Sequence, residues 1–397
     1  MKKLFPYLLF LFSAPAFCQQ KTATQQAAIN LFTQNKDEEA IAIFQKALQE
    51  NPKDIYSLNA LGVIYNRNNK YAEEYESSAK GLLVTNNNGQ PFILQHAEAG
   101  LEIGKAAEAL KLLDSLVMQG ETLPFIPTAH YLRGRALDKL ERIREAISAY
   151  SKCIQIKSDF ENAYYYRGDD FNNISRYANA LTDFNTYIKV VGDFAPAYND
   201  RALSFYKLGR YEEAIADYAK SIALNPAYYQ AFCNRGDVYM DVGKIELAKA
   251  DYQAVLNKTD IYAGAYWGMG QALYKEKIFK DALPMAEKAI RMQPKMAPYL
   301  STYGFTLIGL DREKEAIAIA DRILAIDDKN SDGWIMKASC YSNLSDFNAG
   351  ISTLTSGIEK LPNNYLLYML RASIYRFAHN EAAAAIDDAK AKELSTK

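Results

Sequence analysis

The side chains that most often carry enzymatic chemistry are sparse in this sequence, and they are scattered. Only three histidines, His96, His130 and His379, occur among 397 residues. A histidine acting as a general base needs a nucleophile or carboxylate within hydrogen-bond reach, and no local motif brings one: HExxH, GxSxG and a phosphate loop are all absent. GLEIGKA from Gly100 is one residue short of a phosphate loop and lacks its Ser or Thr, while GMG from Gly268 falls on the recurring small position described below. Cys153, Cys233 and Cys340 have no CxxC spacing, so neither a metal knot nor a disulfide framework is indicated, and no metal or cofactor is expected. Lys and Arg number 46 against 47 Asp and Glu, without the basic excess of a nucleic-acid binder. What is plentiful is contact chemistry, with 29 Tyr and 18 Phe. Rigid rings beside amides and carboxylates recognise other molecules rather than transform them.

Those rings recur at a fixed period. AYNDRALSFYKLGRYEEAIADYAKSIALNP and AFCNRGDVYMDVGKIELAKADYQAVLNKTD align without a gap at a shift of 34, and the small residues from Ala146 to Ala384 keep that step seven times running. In a 34-residue frame, position eight is always Gly or Ala, as at Gly134, Gly168, Ala202, Gly236, Gly270 and Ala338. Position four carries Tyr164, Tyr198, Phe232 and Trp334, position eleven carries Phe171, Phe205 and Tyr239, and position 24 carries Phe44, Tyr150, Phe184, Tyr218 and Tyr252. Bulky residues three or four apart line one stripe of a helix, and the small residues let two helices approach. A helix pair cannot bury such a stripe alone, so neighbours must stack. Departures are local: Glu74 and Ser78 in the second unit, Gly100 in the third, and Ala286 and Ala320 in place of the ring at 24.

This pattern resembles the tetratricopeptide repeat family. The resemblance covers roughly residues 21 to 394 and implies an all-α, right-handed superhelical solenoid of about eleven antiparallel helix pairs. The units fall at about 21–54, 55–89, 90–126, 127–160, 161–194, 195–228, 229–262, 263–296, 297–330, 331–364 and 365–397, as one array over 19–397. The polar end DDAKAKELSTK reads as a cap. The family implies a protein or peptide partner held in a groove lined by positions two, five, nine, twelve and thirteen. Those positions give Tyr131, Arg135 and Asp138, then Tyr165, Asp169 and Asn172, Asn199 and Tyr206, Asp237, Met240 and Asp241, Trp267, Gln271 and Tyr274, and Phe305. No unit has Lys at position five, which argues against the family's clamp for a terminal carboxylate. Cys233 also falls on this face, whereas Cys153 falls at a helix-packing position and His130 on the ring position four.

Position seven is unusual. It holds Arg133, Arg167, Arg201, Arg235 and Arg371, and four of these units carry Asp at position 23, where no unit without the Arg does. Matched occurrence predicts ion pairs inside each unit: Arg167 with Asp183, Arg201 with Asp217, Arg235 with Asp251 and Arg371 with Asp387. Arg133 is left over, available to a ligand.

The first 18 residues read as a secretory signal: Lys2 and Lys3, an apolar run from Leu4 to Phe12, then small residues that allow cleavage after Ala16 (with Ala14) or after Cys18 (with Ala16). At nine residues the run is too short to span a bilayer, and no later window approaches a span. The expectation is an exported protein of the periplasm or cell envelope of a Gram-negative bacterium, non-enzymatic and acting as a binding scaffold. The alternative is an envelope assembly factor tethered by a lipid on Cys18, against which the bulky Phe17 argues.

Overall fold

The computed structural model describes residues 22–120 and 123–396. The signal segment 1–18, with its cleavage sites and Cys18, lies outside the described residues. Two compact units divide the chain, one through Arg210 and one from Tyr211, and each is described by itself.

Among the described residues all regular structure is helical, in 22 helices. The first unit holds α1 (Ala23–Thr33), α2 (Asp37–Glu50), α3 (Ile55–Arg67), α4 (Tyr71–Val84), α5 (Gln90–Glu102), α6 (Ala106–Val117), α7 (Ile126–Lys139), α8 (Ile143–Ile156), α9 (Glu161–Asn173), α10 (Tyr177–Val191) and α11 (Ala195–Lys207). The second holds α12 (Tyr211–Leu224), α13 (Tyr229–Asp241), α14 (Ile245–Leu256), α15 (Ala263–Lys275), α16 (Phe279–Met292), α17 (Ala297–Ile308), α18 (Glu313–Ile326), α19 (Ser331–Asn343), α20 (Phe347–Lys360), α21 (Tyr365–Phe377) and α22 (Glu381–Ser395). Odd-numbered helices are the first of each 34-residue unit and even-numbered helices the second. No helix among the described residues is long and apolar enough to cross a membrane.

Every turn inside a helix pair uses the same device. The residue at position fifteen has a positive φ in all eleven: Asn35, Asn69, Gly104, Glu141, Ser175, Gly209, Gly243, Lys277, Asp311, Ser345 and His379. That left-handed residue lets the next amide reach back to the carbonyl five residues earlier, as from Arg142 to Leu137 at 2.9 Å and from Lys244 to Tyr239 at 2.8 Å. The first helix ends there with its last carbonyls satisfied, and the chain reverses. His379 is therefore a turn residue.

Packing follows from the small and large positions. Tyr150, Phe184, Tyr218 and Tyr252 at position 24 are fully buried. Tyr150, Phe184 and Tyr252 lie across Gly134, Gly168 and Gly236 where two helices meet: a Cβ added to Gly236 would stand 2.6 Å from the Tyr252 ring, closer than packed carbon atoms come. Where Ala286 replaces the ring, the backbone of α16 itself closes on Gly270, to 3.3 Å from where a Cβ would be. Beside Ala320, the sulfur of Met336 fills the space over Gly304. In the second helix pair Glu74 stands at a small position, fully buried, and its two carboxylate oxygens accept from the Asn66 amide at 3.0 and 3.2 Å. In α22, Asp388 and Lys392 occupy the places that Tyr252 and Leu256 hold in α14, so polar groups stand there in place of apolar ones.

Two of the arginines of position seven, Arg167 and Arg371, each join three helices. Arg167 meets Asp183 through two bonds of 2.8 Å and donates a third, of 2.9 Å, to Ser151 on the second helix of the preceding pair. Arg371 repeats the arrangement with Asp387, at 2.7 and 2.9 Å, and Thr355 at 2.9 Å. Arg235 holds Asp251 at 2.8 and 2.6 Å. Arg201 reaches the position-25 residue of the preceding helix, Asn185, at 2.7 Å; Asp217, its sequence-matched partner, is buried in the other unit. Arg133 corrects an expectation. It is not left over for a ligand, because its guanidinium lies 2.6 Å from Asp114 at the same backward position.

Candidate binding face

Within each unit a first helix touches the first helix of the next pair, as α7 does α9 and α15 does α17. The first helices thus form the closely spaced inner face. Whether a residue of that face is open depends on the size of its neighbours.

In the first unit most predicted groove residues are withdrawn from solvent. Tyr131 is 2% exposed, enclosed by the rings of Tyr150, Phe160 and Tyr166 with centroids 5.1 to 6.1 Å away. Asn199 is also 2% exposed and donates to Asp200 at 3.0 Å. Asn172 is buried, donates to the Asp200 carbonyl at 3.0 Å and accepts from Ser204 at 2.7 Å, which ties α9 to α11. These three are corrections: Tyr131 and Asn172 pack against the next first helix, where the small Ser204 lets Asn172 sink into the junction, and Asn199 is buried beside Asp200 on its own helix. Tyr165 is half-buried in a ring cluster with Phe184, Tyr187 and Phe194 and donates to Asp200 at 2.7 Å. Tyr206 is half-buried, with the Lys207 ammonium 5.0 Å over its ring.

Asp169 remains exposed and makes no side-chain hydrogen bond among the described residues. Its carboxyl is nevertheless pushed up to about 6, first by the protein walls around it and then by the charges of Asp200 and Asp138. A group can touch water and still lose much of its hydration when it sits in a concavity. Next to it in sequence, Asp170 is 2% exposed, with the Asp138 carboxyl beside it. Burial, then this contact, lifts the Asp170 carboxyl far above the ordinary carboxylate range. Asp138 Oδ1 and Asp170 Oδ2 are buried and receive no other donor, which is the pattern of two carboxyls sharing one proton. Asp138 also accepts from Tyr150 at 2.7 Å.

In the second unit the face opens. Asp237 is half-buried and accepts from Tyr252 at 2.7 Å. Trp267 stacks on Tyr299 with centroids 5.3 Å apart and donates to Thr302 at 3.0 Å, so it joins successive repeats. Cys233, expected on the open face, is buried, as are Cys153 and Cys340. Asp241, Gln271 and Tyr274, by contrast, line one cavity of about 440 Å³, together with Met240, Lys275, Pro298, Ser301, Thr302, Phe305, Asn330 and Asp332. The cavity crosses four first helices, α13, α15, α17 and α19. Its apolar wall is Met240, Tyr274 and Phe305, the two rings lying 6.5 Å apart. Lys275 donates to the Met240 carbonyl at 3.1 Å. Asn330 caps α19 by accepting from the amides of Asp332 and Gly333 at 3.0 and 3.3 Å. Ser301 and Asp332 escape a reading of position types, because a serine at position five looks like a spacer and an aspartate at position two like a helix start.

The shape suits an elongated ligand with an apolar side chain and several hydrogen-bonding groups, and its volume falls in the range of ligand sites. Among the described residues no group of three or more His, Cys, Asp or Glu is arranged to hold a metal ion. His96 stacks on Tyr75 with centroids 3.7 Å apart and its Nδ1 lies 3.1 Å from the buried Ser78 hydroxyl; both are core contacts away from the inner face.

Comparison with known proteins places several segments in one family. Tetratricopeptide repeat models match residues 43–76, 127–160 and 233–297, and a TPR repeat model matches 202–243. DnaJ homolog subfamily C member 7 from Homo sapiens is 30% identical over 90 residues, 23% of this chain and 18% of that protein, so the chain spans under a fifth of the relative's length. Among solved structures, the APC/C hetero-tetramer Cut9-Hcn1 is 13% identical with a TM-score of 0.49, covering 98% of this chain and 96% of that one. YrrB, described as a TPR protein with an unusual peptide-binding site, is 20% identical with a TM-score of 0.38 and covers 46% of this chain and 95% of its own.

Proposed function

Because the chain belongs to the tetratricopeptide repeat family, we propose that it is a non-catalytic scaffold that binds a protein or peptide segment along the inner face of its repeats. The observation that carries this reading is the cavity of the second unit, where the predicted groove residues Asp241, Gln271 and Tyr274 converge with an apolar wall and several hydrogen-bonding groups. Stacked helix pairs hold such a face in place before a ligand arrives, so little conformational entropy is lost on binding. Many weak contacts along an extended segment then suffice.

The N-terminal pattern of residues 1–18 supports export, and we place the scaffold in the envelope of a Gram-negative bacterium, with Cys18 as the lipid-anchor alternative. The mass of the mature N-terminus separates a soluble from an anchored form. The binding face is tested by placing a photoreactive side chain at Gln271 or Tyr274, and at the exposed outer residue Gln253, then irradiating intact cells. Crosslinked partner from the two inner positions and none from Gln253 is the expected result. Crosslinks from Gln253 alone would refute the reading.

A further inference from the structure

Three polar groups at the cavity of the second unit have unspent hydrogen-bonding capacity, and they come from three successive first helices. Ser301 on α17 is 7% exposed, and its hydroxyl has no hydrogen-bond partner. A buried hydroxyl left without a partner is destabilising, yet Ser301 lines a cavity rather than packed core. Gln271 on α15 and Asp332 on α19 are half-buried and line the same cavity, with no side-chain hydrogen bond or ion pair among the described residues. In repeat positions the three are nine, five and two, a diagonal across α15, α17 and α19. Adjacent helix axes lie about 8 to 10 Å apart, so the diagonal spans roughly 16 to 20 Å. An extended chain advances about 3.3 Å per residue, which makes this the length of five or six residues.

The chemistry of the row is directional. Gln271 and Ser301 can each donate and accept, as a peptide backbone requires, whereas Asp332 only accepts and carries charge. The cavity holds two carboxylates, Asp241 and Asp332, against the single ammonium of Lys275, which is turned to the Met240 carbonyl. Resting on the reading of the inner face as a peptide groove, we propose that this cavity takes an extended segment of five or six residues that pairs a basic side chain with Asp332, bonds its backbone to Gln271 and Ser301, and lays an apolar side chain against Tyr274 and Phe305. The arrangement favours a peptide over a bare divalent cation, which would need six or more oxygen ligands at close range.

The test uses the full chain and N-acetylated, C-amidated, fluorescein-labelled heptapeptides with a central Leu and an Arg two residues away. Matched peptides carry norleucine or Glu in place of Arg, or Ser in place of Leu. Fluorescence anisotropy is expected to show the Arg peptide binding at least tenfold more tightly than the Glu peptide, with the norleucine and Ser peptides between them. Ser301→Ala removes a hydroxyl that has no partner in the fold, so helicity and thermal midpoint hold while affinity for the Arg peptide falls about fivefold. Asp332→Asn erases the preference for Arg, and Asp332→Lys turns it toward Glu. Equal binding of the Arg and Glu peptides, no binding of the Arg peptide at millimolar concentration, or an Asp332→Lys variant that keeps the Arg preference would each overturn the proposal. If partner crosslinks form at Gln271 while these peptides fail, the ligand chemistry is wrong and the scaffold reading stands. If the crosslinks come only from Gln253, the scaffold reading itself fails.

Discussion

Replacing Arg167 with Ala removes a guanidinium that spends three donors on two other helices. Two bonds of 2.8 Å go to Asp183 and one of 2.9 Å to Ser151. The side chain of Asp183 is only 3% exposed and that of Arg167 18%, so water cannot replace what is lost. Burial already raises the Asp183 carboxyl, against the hydrogen bond and charge of Arg167, which lower it. Truncation leaves that carboxylate buried and unpaired, a situation that costs about 3 to 5 kcal/mol. Ser151→Ala, by contrast, removes one neutral acceptor and costs about 1 kcal/mol. The double substitution Arg167→Met with Asp183→Leu removes both charges together and is expected to lie within about 1 kcal/mol of the wild type, since hydrophobic replacement of a buried pair is often neutral. Urea unfolding at pH 7, followed by circular dichroism, measures all four chains. Hydrogen exchange locates the loss, which in a stacked array falls on α8, α9 and α10 first. A cost below about 1 kcal/mol for Arg167→Ala, or a double variant as unstable as the single one, would refute the clamp as a buried structural element.

Further outcomes follow from the same contacts. The shared proton of Asp138 and Asp170 makes stability fall as pH rises from about 4 through neutrality, because the folded chain keeps a proton that the unfolded chain releases. Asp170→Asn supplies an amide hydrogen to Asp138 in place of that proton, so its thermal midpoint should exceed the wild type's at pH 8 and approach it at pH 4; equal midpoints at pH 8 would exclude the shared proton. Gly236→Ala drives a methyl group into the Tyr252 ring at 2.6 Å and is expected to cost about 1 to 3 kcal/mol in urea unfolding, with Tyr252→Leu in the same chain restoring part of it. Burial pushes the thiols of Cys153 and Cys340 up to about 12 and raises that of Cys233 as well, so all three should stay unmodified by a disulfide reagent at pH 8 until denaturant is added. A fast-reacting Cys233 would return that residue to the open face.

The repeat register is legible in the sequence because it rests on size, and size is what the helix junctions select. Gly236 under Tyr252 is a pair that types and spacing give directly. Functions met by several residue types are harder to read. The left-handed turn at position fifteen is filled by Asn, Gly, Glu, Ser, Lys, Asp and His, all tolerated because the carbonyls it satisfies outweigh the strain of one residue. The backward contacts of four of these arginines are equally hidden: Ser151, Thr355, Asn185 and Asp114 share only an oxygen at position 25. Matching Arg with Asp inside a unit therefore found half of the clamp and left Arg133 looking spare.

The binding face is where position alone decides least. Tyr165, Asn199, Trp267 and Ser301 all stand at position five. The first and third are large enough to keep part of a ring in solvent, while Asn199 is buried and donates to Asp200 beside it on its own helix. Ser301 is equally buried, yet the cavity beside it leaves its hydroxyl without a partner. The difference lies in what surrounds each residue on the neighbouring first helices. Around Ser301 those surroundings are Gln271 and Asp332, themselves unspent, and their convergence singles out this stretch of the face from the others. Openness is a property of three consecutive helices at once, so a reading that takes one repeat at a time names the right face and still misjudges which of its residues a partner can reach.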